Sequence, residues 1–283
     1  MRKTIFYLIV LLVLTNISCS NDDNKSTKTI PKPDPKELTL LESYTEYVIQ
    51  ENVKTKQKYY RTISNNELFY NKKGQITSLE TYTKYTHPYG QPHEARSTFE
   101  YFYNDKDQLN KVVEYIMGKE VDYNYITYTL HYDNQNRIDY VILNGIKMEF
   151  KYDTKGHLLS NIRNTFLTTY KTDEKGNITQ ISNDKEILEQ LKYDNYNSPF
   201  KNLPTLFPFN NRTSHYEIPF AYREQNNITH KEKYNTITTY KYNSNDYPIE
   251  SIEILPLADD KYESNNDNYI DYRKLEFKYK TIP

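Results

Sequence analysis

The chain has 283 residues, 37 basic against 38 acidic, with 31 Tyr, 11 Phe, no Trp, 6 Gly and a single Cys. That length suits one elongated domain or two small ones, and apolar material that is mostly aromatic and β-branched points to sheet. The near-balanced charge offers no footprint for a phosphate backbone, which argues against nucleic acid as a partner.

In chain order, Met1-Arg2-Lys3 is basic, Ile5 to Leu14 is an unbroken apolar run of ten, and Thr15 to Cys19 is small and polar. This is the layout of an export signal, and the apolar run is about half the length a spanning helix needs. Asn16-Ile17-Ser18-Cys19 resembles the lipobox of bacterial lipoproteins, with Asn16 where Leu is commoner. The resemblance implies that residues 1–18 are a signal peptide and that Cys19 becomes a lipidated N-terminus. The partner is then the membrane, through the lipid anchor, and the location the outer membrane or cell surface of a bacterium. Asp22 and Asp23 resemble the acidic signals that send Bacteroidota lipoproteins to the outer leaflet. A thioether to lipid also uses up a thiol that export would expose to oxidation. Residues 19–37 are polar and carry Pro31, Pro33 and Pro35, which predicts an extended flexible tether. Residues 38–283 are then expected to form a single β-repeat domain.

A frame recurs through that domain. An aromatic is followed by Asp or Asn, then polar residues often ending in Gly, then Ile or Leu six positions after the aromatic. The copies are Tyr70-Asn71 to Ile76, Tyr103-Asn104 to Leu109, Tyr132-Asp133 to Ile138, and Tyr152-Asp153 to Leu158. Thr172 takes the aromatic slot of a degraded copy, and Tyr193-Asp194 and Tyr242-Asn243 open two more. Upstream residues alternate, as in Phe99, Tyr101 and Tyr103 against Thr98, Glu100 and Phe102, which is the period of a half-buried strand. Asp or Asn can bond to the backbone two residues on and Gly can take positive φ, so the chain turns there and Ile or Leu starts the return strand. A second apolar residue three places later, as in Ile76 and Leu79, calls for a bulge or a two-sided strand.

The frame Tyr-Asp-x-x-Gly-x-Leu resembles the YD repeat of the RHS family, and the later frames look similar to uncharacterised Bacteroidota lipoproteins. The resemblance implies hairpins joined into a curved, wound sheet. About seven frames are too few to enclose a cavity, and neither an autoproteolytic segment nor a toxin follows, so the toxin-encapsulating role is not implied. The expected fold is all-β: tandem β-hairpin repeats forming a curved, largely antiparallel open sheet. A Pro/Phe-rich insertion near 199–222 breaks the register and is expected to plug the concave side.

Candidate chemistry is sparse. His87 and His93 flank two Pro and a Gly and read as a turn, since a zinc site wants three or four ligands. The acidic stretch from Asp259 to Asp271 lacks the Gly and spacing of a calcium loop. No Ser sits in a nucleophile elbow and no phosphate-cradling loop is present, so neither cofactor nor metal is expected. Tyrosines inside the frame are packing residues. Those outside it, Tyr82, Tyr85, Tyr89 and Tyr216, are the candidates for contact with a ligand, such as a glycan or a surface protein. The expectation is a non-catalytic surface lipoprotein acting as a binding or scaffold module. The rival is a glycan-binding lipoprotein or glycan-acting enzyme of a polysaccharide-utilisation system, and an enzyme should gather carboxylates in a cleft.

Overall fold

The computed structural model describes residues 38–86, 93–117, 124–204, 225–233, 235–254 and 269–282. Among them the frames at Tyr70, Tyr103, Tyr132, Tyr152, Thr172 and Tyr242 make a tight turn of one kind, whereas the frame at Tyr193 opens a longer connection. The Asp or Asn side chain accepts from the backbone N–H groups two and four residues on: Asn71 from Lys73 and Gln75, Asp133 from Gln135 and Arg137, Asp153 from Lys155 and His157. The residue three places after the Asx has positive φ, where Gly74 and Gly156 are free of a Cβ penalty and Asp107, Asn136 and Asp246 fill the same slot.

Every frame also carries a bulge. Tyr70 faces Ile76 while Phe69 faces Ser78, so Thr77 has no partner, and the shift recurs beside Tyr103, Tyr132, Tyr152, Thr172, Tyr193 and Tyr242. One extra residue brings two apolar side chains three apart onto one face, and Ile76 and Leu79 are both 1% exposed. Of the two alternatives the sequence left open, the bulge is the one used.

Sixteen strands are described: β1 Leu38–Asn52, β2 Lys58–Tyr70, β3 Ile76–Tyr85, β4 His93–Tyr103, β5 Leu109–Met117, β6 Asn124–Tyr132, β7 Ile138–Leu143 and β8 Ile146–Tyr152, then β9 Leu158–Arg163, β10 Phe166–Thr172, β11 Ile178–Ser182, β12 Ile187–Tyr193, β13 Ile228–Lys231, β14 Thr236–Tyr242, β15 Pro248–Ile254 and β16 Tyr269–Ile282. Each pairs antiparallel with its neighbour in sequence, and β1 pairs antiparallel with β16 from Leu38 opposite Ile282 to Asn52 opposite Tyr269. The expectation of an open sheet is therefore corrected: the sheet is a closed barrel. The long first and last strands seal it, and closure removes both edges that an open sheet would have had to cover.

The two faces of the wall differ sharply. Alternate residues point inward, and a single buried apolar cluster draws on every strand from β1 to β12 and on β16, including Leu68, Phe99, Tyr128, Phe150, Ile181 and Phe277. A cluster touching strands all round a closed wall lies in the lumen, so the interior there is a packed core. The intervening residues point out and are charged, as in Lys147, Glu149 and Lys151 of β8 or Lys274, Glu276 and Lys278 of β16. Exposed apolar side chains such as Tyr125 and Ile237 occur among them, as on most protein surfaces.

The insertion lies in the β12–β13 connection, at the barrel end where the frame turns gather. Of its residues, 205–222 lie outside the described residues. Phe200 packs edge-on against Tyr44 and Phe277, at 6.1 and 6.4 Å between ring centroids, and Leu203 is 4% exposed. This first part of the insertion thus covers the apolar interior at the frame end.

Candidate functional site

Away from the frame end the lumen turns polar. Ser64, Asn66, Thr81 and Thr83 replace apolar residues on β2 and β3, with Ser64 and Thr83 hydroxyls 2.9 Å apart and Thr81 donating to Asn66 at 2.9 Å. Across the seam lies a chain of charges. Lys231 Nζ is 2.5 Å from Glu253 Oε1, Arg273 Nη1 donates to Glu253 Oε2 at 2.9 Å, and Arg273 Nε lies 2.9 Å from Glu46 Oε1. These four side chains are between 7% and 11% exposed. They come from β13, β15, β16 and β1, with Glu253 opposite Arg273 in register. Two cations match two carboxylates, so each buried charge is compensated, as burial requires. Carboxylates do gather here, but each is bound to a cation and enclosed. An acid/base pair must instead reach a substrate proton. The arrangement can hold the seam in register.

The outer wall carries a different site. A groove of about 230 Å³ is lined by Tyr47, Tyr60, Ile63, Lys274 and Glu276. Register places three of these together: Tyr47 on β1 faces Lys274 of β16 on one side and Ile63 of β2 on the other. Tyr60 reaches the groove through a bulge at which Arg61 is the extra residue of β2, so that Ile49 faces Tyr60. The two rings meet edge to face at 5.8 Å and 68°. Arg61 turns away to pair with Asp271 at 3.1 Å.

The polar rim of this groove is a charge relay. Tyr47 donates to Glu276 Oε2 at 3.2 Å, and Lys274 Nζ lies 2.6 Å from Glu276 and 3.0 Å from Glu250, which Lys241 also holds at 2.7 Å. Burial, and then the Glu276 carboxylate, raise the Tyr47 phenol above its usual range, so it stays a donor at neutral pH. Hydrogen bonding to Glu276 raises the Lys274 ammonium, and Lys241 leads in lowering the Glu250 carboxyl.

The tyrosines singled out from sequence fall in different places. Tyr82 is on the outer wall, in register with Asn65 and Arg96, and the Arg96 guanidinium lies 5.2 Å from its ring centre. Tyr85, three residues on at the end of β3, is on the inward face, stacked on His93 at 4.4 Å and 12°. The structure therefore does not bring Tyr82 and Tyr85 together. Tyr89, Tyr216 and Cys19 lie outside the described residues. Tyr47 and Tyr60 were missed. Tyr60, outside every frame, was the one visible clue, because Tyr47 meets Lys274 only once the barrel is closed.

No family model matches the chain, and no curated protein matches it. Comparison with solved structures finds distant similarities. A porin-like protein from Bacteroides uniformis ATCC 8492 is 14% identical with a TM-score of 0.40, over 85% of this chain and 96% of that one. The TcdB2-TccC3-Cdc42 structure is 9% identical with a TM-score of 0.22, over 77% of this chain but 15% of that one.

Proposed function

We propose that this chain is a surface-displayed lipoprotein with YD-like repeats, tied to the outer membrane through a lipid on Cys19, whose barrel stands in water as a non-catalytic binding module. The observation that carries this reading is the sidedness of the wall. A transmembrane barrel faces an apolar band to lipid and keeps its lumen polar. Here apolar side chains fill the lumen and rows of Lys and Glu face out along mid-strand positions. Each Lys or Arg at the bilayer midplane costs about 2–4 kcal/mol, so an embedded wall of this composition is strongly disfavoured. Attachment then falls to the N-terminal anchor, and the outer groove is the contact surface on offer.

Membrane fractionation tests this. Cys19→Ser should move the protein from the membrane to the soluble fraction with its near-ultraviolet circular dichroism intact. A variant that stays with lipid and resists urea extraction would show that the barrel itself is embedded.

A further inference from the structure

We infer that the outer groove between Tyr47 and Tyr60 is a subsite for a neutral saccharide unit. The inference rests on the binding-module reading above and names its ligand class. One side of the groove is formed by the two aromatic rings and Ile63. Tyr60 is 44% exposed and its ring stands at 68° to that of Tyr47, beside Ile63, so an aliphatic ring face has an aromatic surface to lie on. The opposite rim holds donors and acceptors close together: the Tyr47 hydroxyl, the Glu276 carboxylate and the Lys274 ammonium. A ligand with one carbohydrate-like face of C–H groups and an edge of hydroxyls matches both sides.

Charge selects among such ligands. Lys274 is held by Glu276 and Glu250, and Glu250 also by Lys241, so neither sign is in excess at the rim. An anionic or cationic ligand would have to break an existing pair, whereas a hydroxyl can join it. A volume of about 230 Å³ holds one or two sugar rings, not a protein surface. Tyr82 stands on the same outer face, on β3, two strands from Tyr47 and so roughly 10 Å away across the sheet. Its ring, with Arg96 beside it, is placed to meet a further unit of an oligosaccharide lying across the strands.

Isothermal titration of the purified full-length protein with maltohexaose, cellohexaose, xylohexaose and mannohexaose, with polygalacturonate as the anionic comparison, tests the proposal. At least one neutral hexasaccharide should bind. Tyr60→Ala should weaken it about tenfold or more, Tyr60→Phe should retain it, and Tyr47→Phe should weaken it by losing the rim donor. Phe166→Ala, at a ring 76% exposed on β10, should leave it unchanged. Absence of binding at millimolar sugar, binding of polygalacturonate alone, or binding indifferent to Tyr60→Ala overturns the subsite. Cleavage of the bound hexasaccharide would instead overturn the non-catalytic reading while leaving the subsite standing.

Discussion

The tyrosine that opens the frame at 70, 103, 132 or 152, like Tyr279 on β16, does two jobs, and the second explains why it is Tyr and not Phe. Its ring packs on the core, and its hydroxyl donates to a backbone carbonyl beside the preceding bulge: Tyr70 to Leu41 at 2.6 Å, Tyr103 to Ile76 at 3.0 Å, Tyr132 to Leu109, Tyr152 to Ile138 and Tyr279 to Pro248, each at 2.7 Å. These tyrosines tie their turns to the strands before them, whereas Thr172 has no phenol and Tyr242 donates to the Asp194 carboxylate instead. Burial pushes the Tyr70, Tyr103 and Tyr152 phenols well up, so they remain donors. Tyr132→Ala should cost about 3–5 kcal/mol, as loss of a core ring does, and Tyr132→Phe about 1 kcal/mol for the hydrogen bond alone; urea titration separates the two. The turn carboxylates bear on acid stability. Asp153 is held below the usual carboxylate range first by the His157 N–H, and in Asp133 the N–H groups of Arg137 and Gln135 and the Arg137 guanidinium outweigh burial. A depressed folded pKa gives stability that is present above the unfolded value of about 4 and lost as pH falls through the folded one. Asn71, Asn104 and Asn243 make the same turn without a titrating group. Asp133→Asn with Asp153→Asn should therefore melt at a lower temperature than the unaltered protein at pH 7, and the gap should narrow as pH falls to 3, read by thermal denaturation at both pH values.

At the scale of elements, what could be read from sequence was what is local. The turn chemistry, the alternation before each Tyr and the need for a bulge all sit within about twenty residues, and the structure has each of them. Closure does not, because the partners Leu38 and Ile282 lie at opposite ends of the domain and no local pattern announces their pairing. The strands beside the seam disguise it further. Glu46, Ser64 and Asn66 point inward where the frame would have an apolar residue, so β1 and β2 do not look like the repeats they join. The candidate groove was hidden for the same reason: none of its lining residues stood out as a site in the sequence, because they meet only where β1, β2 and β16 come together. The seam charges make a direct test. Arg273→Ala leaves Glu46 and Glu253 buried with one cation fewer, and should cost about 3–5 kcal/mol, measured by chemical denaturation; truncating an exposed cation such as Lys278 should cost almost nothing.

For the whole molecule, a barrel of sixteen strands usually implies a water-filled bore. This chain closes the wall and fills the space with aromatic and aliphatic side chains, which leaves the outer surface as the face presented to ligands. Because β1 and β16 are adjacent, the two termini of the domain are partners, not free ends. The seam cannot be stitched until the last strand, β16 at Tyr269–Ile282, is in place. Until then the wall is an open sheet with two unpaired edges. A linker from Ile282 back to Leu38, with new ends cut at Asn144-Gly145, moves that final join to β7 and β8 and should yield a permuted ring with the same far-ultraviolet circular dichroism.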